Sequence, residues 1–324
     1  MGLIRSGWLV AALLVVGGCQ ATTTPVIVTS TPRPPTATPT ATATATATAT
    51  PTATPTVTPT PGPPTVVCLP DVTAIRTMAV QGDQVAVGGD GGLALVDLAE
   101  RSVRWSAASP DPVVLVRLSP DGTRVASRQG SSPVIALWRG GVQVARLDAG
   151  AGATDMAWSA GGDYLAAGNE LGSVAIWQAE DGEELFQVRL YEERIQDLAW
   201  APTSDILASS TWRTGQYALI IPNGETVQRG SAGGQVRITW APDESAFAIN
   251  QETIGDTAII DTGTGERIDR WAAAVGFPPT LVAWSPDAGQ VAIASGGSLS
   301  VYDAATAESL FAAENQTGLR ILRW

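Results

Sequence analysis

Histidine and lysine are absent from all 324 residues. Without imidazole the chain lacks the commonest general base and the commonest transition-metal ligand, and without lysine it has no Schiff-base amine. Hydrolysis by a Ser-His relay is excluded. A zinc site would have to be assembled from carboxylates and at most two thiols, Cys19 and Cys68, so neither a metal nor a cofactor is expected. Acidic residues are missing from the first 68 positions. All 31 Asp and Glu therefore follow Cys68, against 17 of the 19 arginines, which leaves that part with a formal charge of −14. Neutralising phosphates takes clustered basic side chains, so this charge argues against nucleic acid as a partner.

The N-terminus carries one charged side chain, Arg5, before an apolar run from Trp8 to Val16 that ends in Gly17-Gly18-Cys19. Nine residues are too few for a permanent membrane span, which needs roughly 20. They fit the helical apolar region of a signal peptide followed by small residues. Val16-Gly17-Gly18-Cys19 resembles the bacterial lipobox. That resemblance implies a diacylglyceryl group on Cys19, which becomes the mature N-terminus, and an extracytoplasmic protein anchored to the lipid bilayer. An ordinary secretory signal is the alternative. With Cys19 acylated, Cys68 stays unpaired, and it reads as a small apolar residue at the edge of the fold.

Residues 20–65 are dominated by Thr, Pro and Ala. They offer almost no large apolar side chains to bury, and the prolines block regular helix and central strand. The expectation is a disordered tether, reaching on the order of 140 Å when fully stretched. Thr beside Pro also fits an O-glycosylated stalk.

From 66 to 324 the chain changes to short apolar runs separated by Gly, Asp, Pro and Ser, the punctuation of an all-β domain. The runs repeat. Leu118, Trp158, Trp200, Trp240, Trp284 and Trp324 stand 40, 42, 40, 44 and 40 residues apart, and Val80 is a weaker first member 38 before Leu118. Each period holds four strand-like runs; in the third they are 154–158, 164–168, 173–177 and 184–190. The Ser119-Pro120-Asp121-Gly122 type of step between the first two is a turn. A period of 40 to 45 is that of one blade of a β-propeller, so six complete four-stranded blades are expected, plus the first strand of a seventh ending at Trp324.

Leu95-Val96-Asp97, Leu137-Trp138, Ile176-Trp177, Ile260-Asp261 and Val301-Tyr302-Asp303 close the third run of five blades. These endings resemble WD40 repeats, over about 250 residues. The Gly-His that WD40 repeats usually carry is absent, and the Trp-Ser-Pro-Asp step is also similar to the periplasmic TolB-type propellers. Both resemblances imply a propeller. The chain is expected to be truncated by about 20 residues, roughly the remainder of a blade, with Val66–Leu69 available to complete the last blade. A six-bladed ring with a surplus strand is the competing account.

Tryptophans that recur once per blade at one strand position are expected to pack between blades, and Asp121, Asp243 and Asp287 are expected to serve their turns. Residues outside the repeat register are better candidates for a site. Propellers bind on the loops that enter the first strand and leave the second. Trp212 lies off any regular strand position and Arg213 follows it; Glu192, Glu193 and Arg194 precede the fourth blade; Arg128 and Gln251 occupy equivalent loops of blades two and five. Such a polar, aromatic mouth suits a protein or glycan partner. The expected function is a scaffold or receptor at the envelope, with no catalytic residues. A carboxylate-dependent hydrolase or lyase is the alternative, which requires two non-repeat carboxylates to converge in the mouth.

Replacing Cys19 by Ala should abolish incorporation of labelled fatty acid into the protein and leave its signal segment attached. Label retained by the variant, or a mature wild-type chain that starts elsewhere, would overturn the acylation of Cys19.

Overall fold

A computed structural model describes residues 14–18, 65–251, 256–272, 281–295, 298–306 and 308–313. Runs rich in Val, Ile, Ala and aromatics form strands wherever two of them can meet across a short Gly- or Asp-containing turn. Two strands come first, β1 (Leu14–Gly18) and β2 (Thr65–Leu69). Blade 1 holds β3 (Ala74–Gln81), β4 (Gln84–Asp90), β5 (Gly92–Asp97) and β6 (Ser102–Ala108). Blade 2 holds β7 (Val113–Leu118), β8 (Arg124–Gln129), β9 (Val134–Arg139) and β10 (Val142–Asp148). Blade 3 holds β11 (Ala153–Trp158), β12 (Tyr164–Asn169), β13 (Ser173–Gln178) and β14 (Glu184–Arg189), each within about a residue of its run in the sequence. Blade 4 comprises β15 (Ile195–Trp200), β16 (Leu207–Thr211), β17 (Gln216–Ile220) and β18 (Thr226–Ser231). Blade 5 comprises β19 (Val236–Trp240), β20 (Ala246–Gln251), β21 (Asp256–Asp261) and β22 (Arg267–Ala272). Blade 6 comprises β23 (Leu281–Trp284), β24 (Gln290–Ser295), β25 (Ser298–Asp303) and β26 (Ser309–Ala313).

Every blade is an antiparallel meander in chain order. First strands of neighbouring blades pack on one another, β3 on β7 and so on through β23. Between each pair of blades lies a separate apolar cluster. Blades 3 and 4, for example, bury Val174, Ile176, Ile195, Leu198, Trp200 and Leu207 together. The second and third strands are buried along almost their whole length, whereas fourth strands such as β14 and β18 are largely exposed. Six four-stranded sheets stacked face to face in sequence order, with the fourth strands outermost, are the architecture of a β-propeller.

The repeated tryptophan joins the blades twice over. Its ring is buried in the inter-blade cluster, and its indole nitrogen donates to a backbone carbonyl of the blade before. Trp200 Nε1 reaches Ala157 O at 3.0 Å, Trp240 Nε1 reaches Ala199 O at 2.9 Å, and Trp284 Nε1 reaches Thr239 O at 3.0 Å. Trp158 makes no such bond; it lies beneath the guanidinium of Arg124, 5.6 Å from the ring centroid. Leu118 has no polar atom to offer and contributes packing alone. Trp324 lies outside the described residues, as does the expected seventh first strand.

Turns follow the repeat as well. Ser119 Oγ accepts the amide of Arg124 and donates to Asp121, whose carboxylate also accepts Thr123 N. Ser285 and Asp287 repeat this arrangement in blade 6. Blade 5 has Ala241 in place of the serine, and its left-handed turn position, filled by Gly122 and Gly162 in blades 2 and 3 and by Ala288 in blade 6, holds Glu244 at φ 60°. Its carboxylate accepts hydrogen bonds from Thr203 and Ser204 in the turn of blade 4. That inter-blade contact offsets the backbone strain.

Two expectations are corrected. Leu14–Gly18, part of the expected signal helix, is extended and pairs in parallel with β2, because two Val-rich segments satisfy each other's backbone groups. Val80 does not pack between blades: it is 58% exposed, as is Met78, since no blade lies on the outer side of β3 among the described residues. Cys68 is exposed and free on β2, where its neighbours Val67 and Leu69 turn inward against Val85, Val87, Ala94 and Val96 of blade 1. Strand β2 thereby covers the face of blade 1 opposite blade 2. Cys19 and residues 20–64 lie outside the described residues.

Substituting Trp240 separates its two roles. Phe keeps most of the ring and loses the bond to Ala199 O, which should cost about 1–2 kcal/mol, whereas Ala should cost about 3–5 kcal/mol. Urea titration of the full-length protein measures both; equal losses would mean that the indole bond contributes nothing.

Candidate functional site

Loops entering the first strand and leaving the second lie on one face of the propeller. Between blades 3 and 4 these loops enclose a concavity of about 610 Å³ lined by Glu170, Glu193, Arg194, Trp212 and Arg213. Each wall is fixed by the strand it extends. Glu170 follows β12, where Asn169 Oδ1 accepts the amides of Leu171 and Ser173 at 2.9 Å each and Asn169 Nδ2 donates to Ala149 O at 2.7 Å. Glu193 and Arg194 lead into β15, and Trp212 and Arg213 leave β16, its amide tied to Arg194 O at 3.2 Å.

Two glycines let these loops come so close. A Cβ on Gly168 would collide with Ile195 at the start of β15, and one on Gly172, at φ 83°, would strike the carbonyl oxygens of Tyr191 and Glu193. The amides of Leu190 and Tyr191 bond to Gly172 O. Tyr191 then drops its ring into the core, and its hydroxyl meets Ser209 Oγ at 2.9 Å. Burial pushes that phenol up to about 12 despite the bond to Ser209.

Glu193 acts as a strut across the site. It accepts Arg213 N at 3.1 Å and both the amide, at 2.8 Å, and the hydroxyl of Thr214. Partial burial alone would raise its pKa; the bonds from Thr214 and Arg213 outweigh that and hold it below the usual carboxylate range. Arg194 lies over the Trp212 ring with its guanidinium carbon 4.3 Å from the centroid, a cation–π contact, and its side chain is exposed. Arg213 and Glu170 are exposed on the rim.

Four of the residues selected from the sequence therefore come together here: Glu193, Arg194, Trp212 and Arg213. Glu170 joins them, although the rule that selected Arg128 and Gln251 applied equally to the loop after β12. The other three stand apart. Glu192 is exposed and pairs with Arg189 at 2.6 Å. Arg128, half-buried at the end of β8, donates to Gly130 O in its own loop, and burial lowers its pKa. Gln251 ends β20, too far along the propeller to join blades 3 and 4.

A second cluster was missed in the sequence. Three residues before the repeated tryptophan, where blades 2 and 6 have Leu115 and Leu281, blades 3, 4 and 5 carry Asp155, Asp197 and Arg237. In blades 3 and 4 a β-bulge just before the aspartate re-aims it. Asp155 accepts Leu198 N of the next blade at 3.1 Å and pairs with Arg117 of the previous one. Asp197 accepts Ile238 N at 2.9 Å and faces Arg237 at 3.9 Å. These are non-turn carboxylates in adjacent blades, the pairing that carboxylate catalysis would need, but each spends an oxygen on an amide of the following blade. Their geometry serves cohesion. Burial first, and the Asp155 charge second, push Asp197 up to about 6; burial likewise raises Asp155. Among the described residues no three Cys, Asp or Glu side chains are grouped to hold a metal ion.

A family model, the anaphase-promoting complex subunit 4 WD40 domain, matches residues 136–203, from β9 through blade 3 to the turn after β15. No curated protein matches the chain. The match covers a minor part of the chain; together with the six four-stranded sheets it supports a β-propeller of WD40-like repeats. The matched segment ends inside the candidate site: it includes Glu170, Glu193 and Arg194 and stops short of Trp212.

Asp197 gives folding a distinctive pH dependence. Its pKa is higher folded than unfolded, so the stability it contributes is full below about 4 and is lost as pH rises through about 6. Asp97 and Asp121, both held at about 2, act in the opposite sense and lose their contribution as pH falls below 4. Replacing Asp197 by Asn keeps an acceptor for Ile238 N and removes the charge. It should flatten the decline between pH 4 and 6 and raise stability at pH 7 by about 1–3 kcal/mol. Denaturation midpoints across pH measure this; an undiminished decline in the variant would refute the assignment.

Proposed function

We propose that this chain is a membrane-anchored, extracytoplasmic scaffold that binds a protein partner in the concavity between blades 3 and 4. The observation that carries the reading is the convergence of Arg194, Trp212 and Arg213, none of which the repeat requires, on one loop cleft whose backbone is braced by Glu193. Arginine and tryptophan are enriched among the residues that dominate binding energy at interfaces. Preorganisation matters as much, because a loop already held in place loses little entropy when a partner docks. Processing at the lipobox-like Val16-Gly17-Gly18-Cys19 would remove β1 and leave acylated Cys19 as the anchor and the Thr/Pro/Ala segment as the reach.

The absence of His and Lys, together with the commitment of Asp155 and Asp197 to inter-blade bonds, favours binding over catalysis. A TolB-like envelope role is compatible with the same cleft, whereas hydrolysis would require a carboxylate pair free to reach substrate.

Full-length protein purified from membranes, with Trp212→Ala alongside wild type, tests the proposal after chemical cross-linking in cells. The partner cross-linked to wild type should be lost from the variant, while the urea midpoint stays within about 1 kcal/mol of wild type. The same partner recovered at the same yield with Trp212→Ala would move binding elsewhere.

A further inference from the structure

Resting on that reading, we infer that the cleft recognises a short peptide segment in which a carboxylate stands next to a cationic side chain. Glu193 is not available to a ligand, because its oxygens are occupied by Arg213 N and by the amide and hydroxyl of Thr214. The groups left to face a partner are Arg194, Arg213, Glu170 and the exposed part of Trp212.

Arg194 is stacked over the indole, its guanidinium carbon 4.3 Å from the ring centroid, so the ring holds an exposed guanidinium in place on the cleft. A carboxylate pairs with a guanidinium through two parallel hydrogen bonds. Arg213, whose backbone amide donates to the strut Glu193, offers a second guanidinium on the same cleft. Glu170 lines the same cleft from blade 3, with Arg128 near enough to feel its charge, and its exposed carboxylate is the complementary site for a ligand's guanidinium or ammonium.

The same geometry disfavours a glycan. Sugars stack on open aromatic faces, and here the guanidinium of Arg194 already covers a face of Trp212. Polyanionic glycans meet a chain of net charge −12 and the negative Glu170 at the rim, so an extended run of carboxylates is repelled where a single one beside a cation is welcome.

Selection of a random dodecapeptide display library on the full-length protein tests the inference. Enriched peptides should carry Asp or Glu adjacent to Arg or Lys. A synthetic peptide of the enriched sequence should bind Arg194→Gln at least about tenfold more weakly than wild type, as should its own Glu-to-Gln analogue. Glu170→Gln should weaken that peptide and leave an analogue lacking the cation unaffected. Enrichment of peptides without an acidic residue, no enrichment, or binding unchanged in Arg194→Gln overturns the inference; so does alginate, a polyuronate, displacing the peptide at equal carboxylate concentration. The broader proposal fails separately. If the cellular cross-link is lost in Trp212→Ala while Arg194→Gln retains it, the cleft is a docking site and this peptide chemistry is wrong.

Discussion

The fold rests on one contact made once in each of blades 2 to 6: a large side chain at the end of the first strand, wedged against the preceding sheet and, in blades 4 to 6, tied by its indole N–H to the carbonyl one residue before the equivalent position in that preceding blade. Burying an aromatic of this size contributes a few kcal/mol. The hydrogen bond adds less energy but fixes geometry. It sets how far one first strand slides past the next, and therefore where the following loop emerges. Because Trp200 is bonded to Ala157 O, β15 has a single register against β11, and the loop at Glu193 and Arg194 is delivered beside the loop of Glu170.

A stack of repeated contacts leaves identity to the positions that do not repeat. Blades 3, 4 and 5 carry Asp155, Asp197 and Arg237 where the flanking blades have leucine. These charges replace apolar contact by salt bridges and amide caps, at a desolvation cost visible in the raised pKa of both aspartates. The cost falls on the blades that form the candidate cleft. Glu244 shows the same exchange on the opposite end of the strands, accepting a left-handed backbone in return for bracing the turn of blade 4. In both places blade 4 is held by polar bonds to a neighbouring blade, and it is blade 4 that presents Arg194 and Trp212.

Periodicity made the fold legible. The forty-residue spacing of tryptophans located the first strands, and the turn residues located the rest to within about a residue in blade 3. Periodicity also exposed Trp212, because it broke the register. What could not be read was whichever property depends on neighbours from another blade. Asp155 and Asp197 each look like an ordinary polar residue in a half-buried strand, and only the inter-blade stacking shows that they face amides and arginines of adjacent sheets. Val80 fits the repeat by sequence, yet its exposure depends on what lies beside β3. Arg128 and Gln251 satisfied the same loop rule as Glu170, but convergence requires adjacent blades, and the pattern of one strand carries no information about which loops share a cleft.

The division of labour between the two glutamates of the cleft follows from one difference in backbone. Glu193 precedes a strand whose neighbouring loop presents two amides and a hydroxyl within reach, so its charge is consumed in holding the loops together. Glu170 follows Asn169, whose side chain already satisfies the amides of Leu171 and Ser173, so no backbone donor remains in that loop to claim the carboxylate. A site that binds must hold some polar groups out of its own hydrogen-bond network. Here the asparagine satisfies the amides of Leu171 and Ser173 beside Glu170, and the indole holds the guanidinium of Arg194 through its ring face. Both devices keep charge exposed beside a braced loop, the property that the proposed binding role requires.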